Sequence, residues 1–189
     1  MSKESKKDLI ANTALTCFIS SGYGGTSVDE IVRTSGVSKG GIYWHFKSKE
    51  DIFLYLVERW INDGINEYIS SLMPSDSAAE KLTKYIEHYL NNIDTPVTAL
   101  ILEFVLQAKD LEIMEKLHNF SSKSLSVLGE IIETAIKKGE FCPLEPTTTT
   151  QVFFYMIDGI GHQLLIHKDK KLLEKTLRSG LAIFLKGVL

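Results

Sequence analysis

Five side chains that can donate a hydrogen bond to a phosphate oxygen, Ser38, Lys39, Tyr43, His45 and Lys49, crowd around a Gly40-Gly41 step. Hydroxyls, ammonium groups and an imidazole at that density suit a polyanionic backbone. Glycine inside a helix costs roughly 1 kcal/mol relative to alanine, so two in succession need a reason. One reason is relief of crowding against a preceding helix. The other is close approach to something flat and wide, such as a DNA groove. Ile42 and Phe46 are apolar at the complementary positions and are expected to face a small core. Taken together these residues favour DNA.

Such a segment must be held by its neighbours, and capping signals on either side supply the frame. Ser27 with Glu30 three residues later predicts a helix starting at Val28, with Val28, Ile31 and Val32 as its apolar face. Gly36 suits the left-handed residue that ends it, and Val37 can tuck into the turn. Ser38 then caps a second helix running to about Trp44, and Ser48 with Asp51 starts a third. Two short helices meeting at a glycine over residues 27–46 form a helix-turn-helix pattern.

The rest of the chain also reads as helix. Helices are predicted at about 5–21, with Gly22 to Gly25 as a turn, then at 49–72, 77–93, 96–108, 110–138, 146–166 and 170–187. Thr95-Pro96 is an N-cap followed by proline at the first helical position, and Val97 to Leu106 is apolar nearly all round, except for the carboxylate of Glu103. The expected fold is all-α, about nine helices, with an N-terminal three-helix domain at 4–64 and a larger helical domain at 65–189.

Composition is compatible with this. At 189 residues and 44% hydrophobic the chain can bury a core. The net charge is −3, but residues 1–49 carry seven Lys/Arg against four Asp/Glu, so a +3 head precedes a −6 body. No apolar run reaches the roughly 18 residues of a membrane span and no signal-type segment follows the charged N-terminus, so a cytoplasmic location and no membrane partner are expected. Cys17 is expected to be core packing and Cys142 to lie in a loop. The five histidines lack zinc-ligand spacing, and no Gly-x-Ser-x-Gly or His-Glu-x-x-His occurs. Neither catalysis nor a metal or other cofactor is expected.

The last two helices are rich in apolar residues on more than one face. Phe153, Ile157, Ile160, Leu164, Leu177, Leu181 and Phe184 are expected to form a two-fold interface, a four-helix bundle between two copies, rather than only the chain's own core. One helix-turn-helix reads few bases, and a homodimer doubles the contact.

The run T-S-V-D-E-I followed by S-G-V-S-K-G-G-I-Y-W-H-F-K-S-K-E-D-I-F resembles the DNA-binding domain of TetR-family transcriptional regulators. Its Y-W-H-F version is similar to members that control multidrug efflux. The resemblance covers roughly residues 5–60. It implies that Thr26 and Ser27 hold a phosphate at a helix start and that Ser38, Lys39, Gly40 and Gly41 face base edges, with Lys39 best placed for a guanine. Tyr43 and His45 would clamp the DNA backbone, and Lys49 would add a phosphate contact. His45 could instead cap its neighbours or face the core, while Trp44 is expected to pack in the small domain or along the backbone.

The same resemblance implies an effector cavity within about 77–166, for which Tyr85, Tyr89, Glu103, Phe104, Gln107, Met114, His118 and Phe120 are candidates. Glu103 needs a reason to sit on so apolar a helix: solvent, a cationic ligand or a buried partner. The function implied is a homodimeric repressor released from double-stranded operator DNA when a small molecule binds, through movement of the long helix at 49–72. A helical ligand- or partner-binding module without operator function, and a transcriptional activator, are the alternatives.

Overall fold

The computed structural model describes residues 5–93, 95–107, 111–167 and 169–189, with the backbone alone for Leu102, Leu106, Leu111, Met114 and residues 163–167. Among the described residues every regular element is a helix: α1 (Lys6–Gly25), α2 (Val28–Ser35), α3 (Lys39–His45), α4 (Lys49–Ser71), α5 (Ala78–Asn92), α6 (Pro96–Gln107), α7 (Leu111–Phe120), α8 (Ser122–Lys138), α9 (Pro146–His167) and α10 (Lys170–Val188). The expected helix over 110–138 is two helices, α7 and α8, meeting at Ser121, which makes no side-chain cap.

The helices gather into two compact units, and the division differs from the expected boundary near residue 64. The first unit takes the described residues up to Asn62 together with Thr95–Phe120, so α6 and α7 belong with the N-terminal helices. The reason is the apolar character of α6. Its Leu100 and Phe104 enter one buried cluster with Ile10, Phe18, Tyr23, Ile31, Ile42, Phe46 and Phe53. Phe104 meets Tyr23 edge-on at 4.8 Å and Phe53 at 4.6 Å, and Phe18 meets Phe53 edge-on at 5.6 Å. Ring pairs of this kind add about 0.5–1.5 kcal/mol each beyond the area they bury. Polar links tie α1 to α4 on the outside of that cluster. Asp8 accepts from Tyr55 at 2.8 Å and faces Arg59 at 3.4 Å, while the Lys7 ammonium sits 4.2 Å from the Tyr55 ring.

The second unit holds the end of α4 with α5, α8, α9 and α10. Its core runs through Tyr68, Leu82, Ile86, Leu128, Ile132, Phe153, Ile157, Leu173, Leu177 and Phe184. Ser77 and Glu80 form a full capping box at the start of α5, and Gly139, left-handed at φ 73°, ends α8. Close approach of α9 to α5 depends on Gly161, where a Cβ would overlap the Tyr89 hydroxyl and crowd Ile93.

Candidate nucleic-acid interface

The helix-turn-helix forms as the capping signals require. Ser27 Oγ accepts from the Glu30 amide at 3.1 Å, Gly36 ends α2 in the left-handed region at φ 67°, and Ser38 Oγ accepts from the Gly41 amide at 3.1 Å. Ser48 repeats the pattern for α4, accepting from the Asp51 amide at 3.2 Å. Ile31, Ile42 and Phe46 are buried and Val37 packs beside them, which fixes the inner side of α3.

The outer side of α3 is then set by geometry. Ser38, Lys39, Gly40, Tyr43 and Trp44 are exposed, while Gly41 and His45 are half-buried. Lys39, Gly40, Tyr43 and Trp44 recur at helical spacing on one face, opposite Ile42. Trp44 does not pack in the small domain: it is 85% exposed, the most exposed large apolar side chain described. Its position, two residues from both Ile42 and Phe46, already turns it away from the core.

The two glycines separate. A Cβ at Gly41 would lie 2.9 Å from Val37 Cγ1 and 3.2 Å from Ser38 Oγ, so Gly41 relieves crowding inside the turn. At Gly40 a Cβ would meet nothing within 4 Å. Its lack of a side chain serves no packing within the head and leaves the outer face of α3 flat.

Three expected contact residues are otherwise engaged or paired. Thr26 is buried, and its hydroxyl donates to the Gly22 carbonyl at 2.8 Å, so it is not available to a phosphate; Ser27 beside it is exposed. The Lys49 ammonium donates to the carbonyls of Tyr23 at 2.8 Å and Thr26 at 2.9 Å and lies 4.3 Å from the Tyr23 ring, so it braces the last turn of α1 and its junction with α2 instead of reaching outward. Lys39 is exposed but pairs with Asp29 of α2 at 2.8 Å, an acid the sequence reading did not single out.

Glu103 lies against that same turn. Its Oε2 accepts from the Tyr23 amide at 3.0 Å and its Oε1 from the Gly24 amide at 2.8 Å, and Gln107 donates to Oε1 at 3.1 Å. These bonds, the Gly24 amide first, hold the carboxyl below its ordinary range. The remaining residues expected around a cavity divide. Phe104 is in the core of the first unit, Phe120 packs at its edge and His118 is exposed. The Met114 side chain lies outside the described residues. Tyr85 and Tyr89 belong to the second unit, where burial pushes both phenols up, that of Tyr85 to about 12.

The residues expected at a two-fold interface are also mostly interior. Phe153, Ile157, Leu177, Leu181 and Phe184 are buried within the chain itself, Ile160 packs against them, and the Leu164 side chain lies outside the described residues. Among the described residues, the large apolar side chains that α9 and α10 leave exposed are Val152, Tyr155, Leu172 and Ile183, the last 72% exposed. The described residues include no helix long and apolar enough to cross a membrane.

Comparison with known proteins fits this geometry. The family described as bacterial regulatory proteins, tetR family, matches residues 10–56, and the QacR-like protein C-terminal region matches residues 57–189. The chain is 28% identical over 187 residues to the HTH-type transcriptional regulator QacR of Staphylococcus aureus, covering 96% of this chain and 97% of that protein. It is 26% identical over 188 residues to the fatty acid metabolism regulator protein of Bacillus subtilis, covering 98% and 97%. Among solved structures, the transcriptional regulator FadR from Bacillus subtilis in complex with stearoyl-CoA superposes with a TM-score of 0.79 at 24% identity, over 96% of this chain and 98% of that one. The chain belongs to the TetR family of bacterial regulatory proteins and is a DNA-binding transcriptional regulator with a QacR-like C-terminal region.

Proposed function

We propose that the protein is a homodimeric repressor that leaves its operator when a small molecule binds the QacR-like region. The observation that carries the DNA-reading part is the outer face of α3. A helix anchored through Ile42 presents Ser38, Lys39, Gly40 and Tyr43 outward, with no side chain at Gly40 to keep a groove away. Lys39 is the base-reading residue, with guanine as its best partner. Ser27, Tyr43 and His45 hold the DNA backbone, and Trp44 joins them as a fourth contact.

The dimer forms through α9 and α10, with Val152, Tyr155 and Ile183 as contact residues in place of the buried set. Val152 and Ile183 line one shallow groove with Leu144, Thr148 and Gly187. Two copies set two α3 helices about one DNA turn apart, roughly 34–36 Å.

Effector release fits the chain's connectivity. Helices α6 and α7 are the length of chain between α5 and α8, so a ligand that shifts the ends of α5 or α8 pulls on helices built into the reading head. Tyr85 and Tyr89 of α5 remain the candidate ligand contacts. Coupling of about 1–3 kcal/mol gives roughly 5- to 150-fold release. The test is selection of duplexes from a random library by the purified protein, working in the cytoplasm's ionic range. Lys39→Ala should bind the selected duplex weakly and tolerate changes at one base pair per half-site; unchanged affinity and preference would remove α3 from the reading role.

A further inference from the structure

We infer that Glu103 is a positioning residue for DNA binding: its carboxylate, from α6, holds the last turn of α1, beyond the kink at Gly22, in the shape that sets the reading head. The inference rests on the proposed role of α3 and deepens it, since α6 lies in the region matched as QacR-like while its carboxylate grips the head.

The turn is built to receive this one group. At Gly22 the chain leaves helical geometry, with φ 75° and ψ 163°, so the following amides lose their helical acceptors. Glu103 supplies both, one oxygen each to Tyr23 and Gly24, in charge-assisted bonds. Room for it depends on two glycines. A Cβ at Gly22 would stand 3.2 Å from Oε2 and one at Gly24 3.1 Å from Gln107 Nε2 and 3.3 Å from Oε1. Gln107, one helical turn later, fixes the carboxylate by donating to it.

Opposite charge completes the grip. The anion of Glu103 takes the turn's N–H groups while the cation of Lys49 takes its carbonyls, at Tyr23 and Thr26. Phe104, next to Glu103, seals the Tyr23 ring between them. The held segment ends at Thr26, directly before the Ser27 cap of α2, and α2 leads through Gly36 into α3. A shift of the turn therefore re-aims both helices of the motif. On a helix otherwise so apolar, the carboxylate finds its partners in those two amides.

The experiment compares full-length wild type, Glu103→Gln and Gly24→Ala. Gln puts a donor where one amide needs an acceptor, and the alanine methyl crowds the carboxylate and the Gln107 amide that holds it without changing either chemically. Hydrogen exchange should accelerate at the Tyr23 and Gly24 amides in both variants, with α8 to α10 unchanged. Affinity for the duplex selected by wild type should fall roughly tenfold at fixed salt, in proportion to the fraction of heads left in the binding geometry. The double variant should lose little more than either single one, because both break the same contact. Faster exchange with unchanged DNA affinity would make the bond structural only and overturn the inference, as would fully additive losses. If instead Glu103→Gln behaves as expected while Lys39→Ala binds like wild type, the role of α3 falls and that of Glu103 in shaping the turn stands apart from it.

Discussion

The Lys39 ammonium lies 2.8 Å from the Asp29 carboxylate, across the corner between the first turn of α2 and the start of α3. Both side chains are exposed, at 57% and 70%, so the pair is easily exchanged for another partner. Each side shifts the other: Asp29 is lowered by its hydrogen bond from Lys39, and Lys39 is raised by the same bond. Asp29→Asn should free the ammonium for any phosphate, raising affinity for unselected duplex more than for the selected one. The slope of log affinity against log salt on unselected DNA should steepen by about 0.9 for each new phosphate contact. Equal gains on both duplexes would show that Asp29 has no part in selectivity.

Gly40 and Gly41 should respond oppositely to alanine. Gly41→Ala drives a methyl against Val37 and Ser38 and should destabilise the head by roughly 1–3 kcal/mol in denaturant titration. Gly40→Ala faces open space, so it should keep or gain up to about 1 kcal/mol of stability from helix propensity, yet bind the selected duplex more weakly. Loss of stability at Gly40, or none at Gly41, would reverse these assignments.

Part of this arrangement is legible in the sequence. Local signals spoke clearly: the Ser27, Ser38 and Ser48 caps and the left-handed Gly36 are chemistry within a few residues. So was the inward face of Ile42 and Phe46. What depended on distant partners was not legible. The expected outward reach of Lys49 gave way to two carbonyls more than twenty residues earlier. Glu103 was recognisable as an anomaly on an apolar helix, but its partners lie about eighty residues away. For the last two helices, periodicity shows which residues are apolar but not whether the chain or a second copy covers them. Phe153 and Leu177 are covered by the chain itself.

That distinction can be measured. Leu177→Ala, at a fully buried site, should cost about 2–5 kcal/mol of folding stability. Ile183→Glu, at a site 72% exposed, should leave the unfolding of the isolated chain nearly unchanged and shift sedimentation from dimer to monomer. A dimer that survives Ile183→Glu and Val152→Glu together would place the interface elsewhere.

Gly161→Ala should destabilise the second unit, because the methyl would overlap the Tyr89 hydroxyl and press on Ile93. A loss of roughly 1–3 kcal/mol is expected in thermal or denaturant unfolding. Adding Tyr89→Phe removes the nearest atom and should recover part of it. No recovery would mean that the strain lies with the ring of residue 89 and with Ile93.

His88 supplies a pH signature. Burial beside Tyr68 of α4 holds its imidazole below the ordinary 6.5, with the Glu67 carboxylate pulling the other way. Above about pH 6.5 both folded and unfolded chains carry it neutral, and it adds no slope. As pH falls below 6.5 the unfolded chain takes the proton first, so stability drops until the folded pKa is passed. His88→Gln should flatten the stability profile in that window; an unchanged slope would assign it to other groups.

The function proposed for this regulator requires that the outer face of α3 read sequence. Duplexes should be selected from a random library at fixed salt and the bound DNA footprinted for wild type and Lys39→Ala. The expected result is enrichment of two related half-sites centred one helical turn apart, with Lys39→Ala losing preference at one base pair in each. Enrichment of no sequence, or selection of the same half-sites with the same preference by Lys39→Ala, would contradict it.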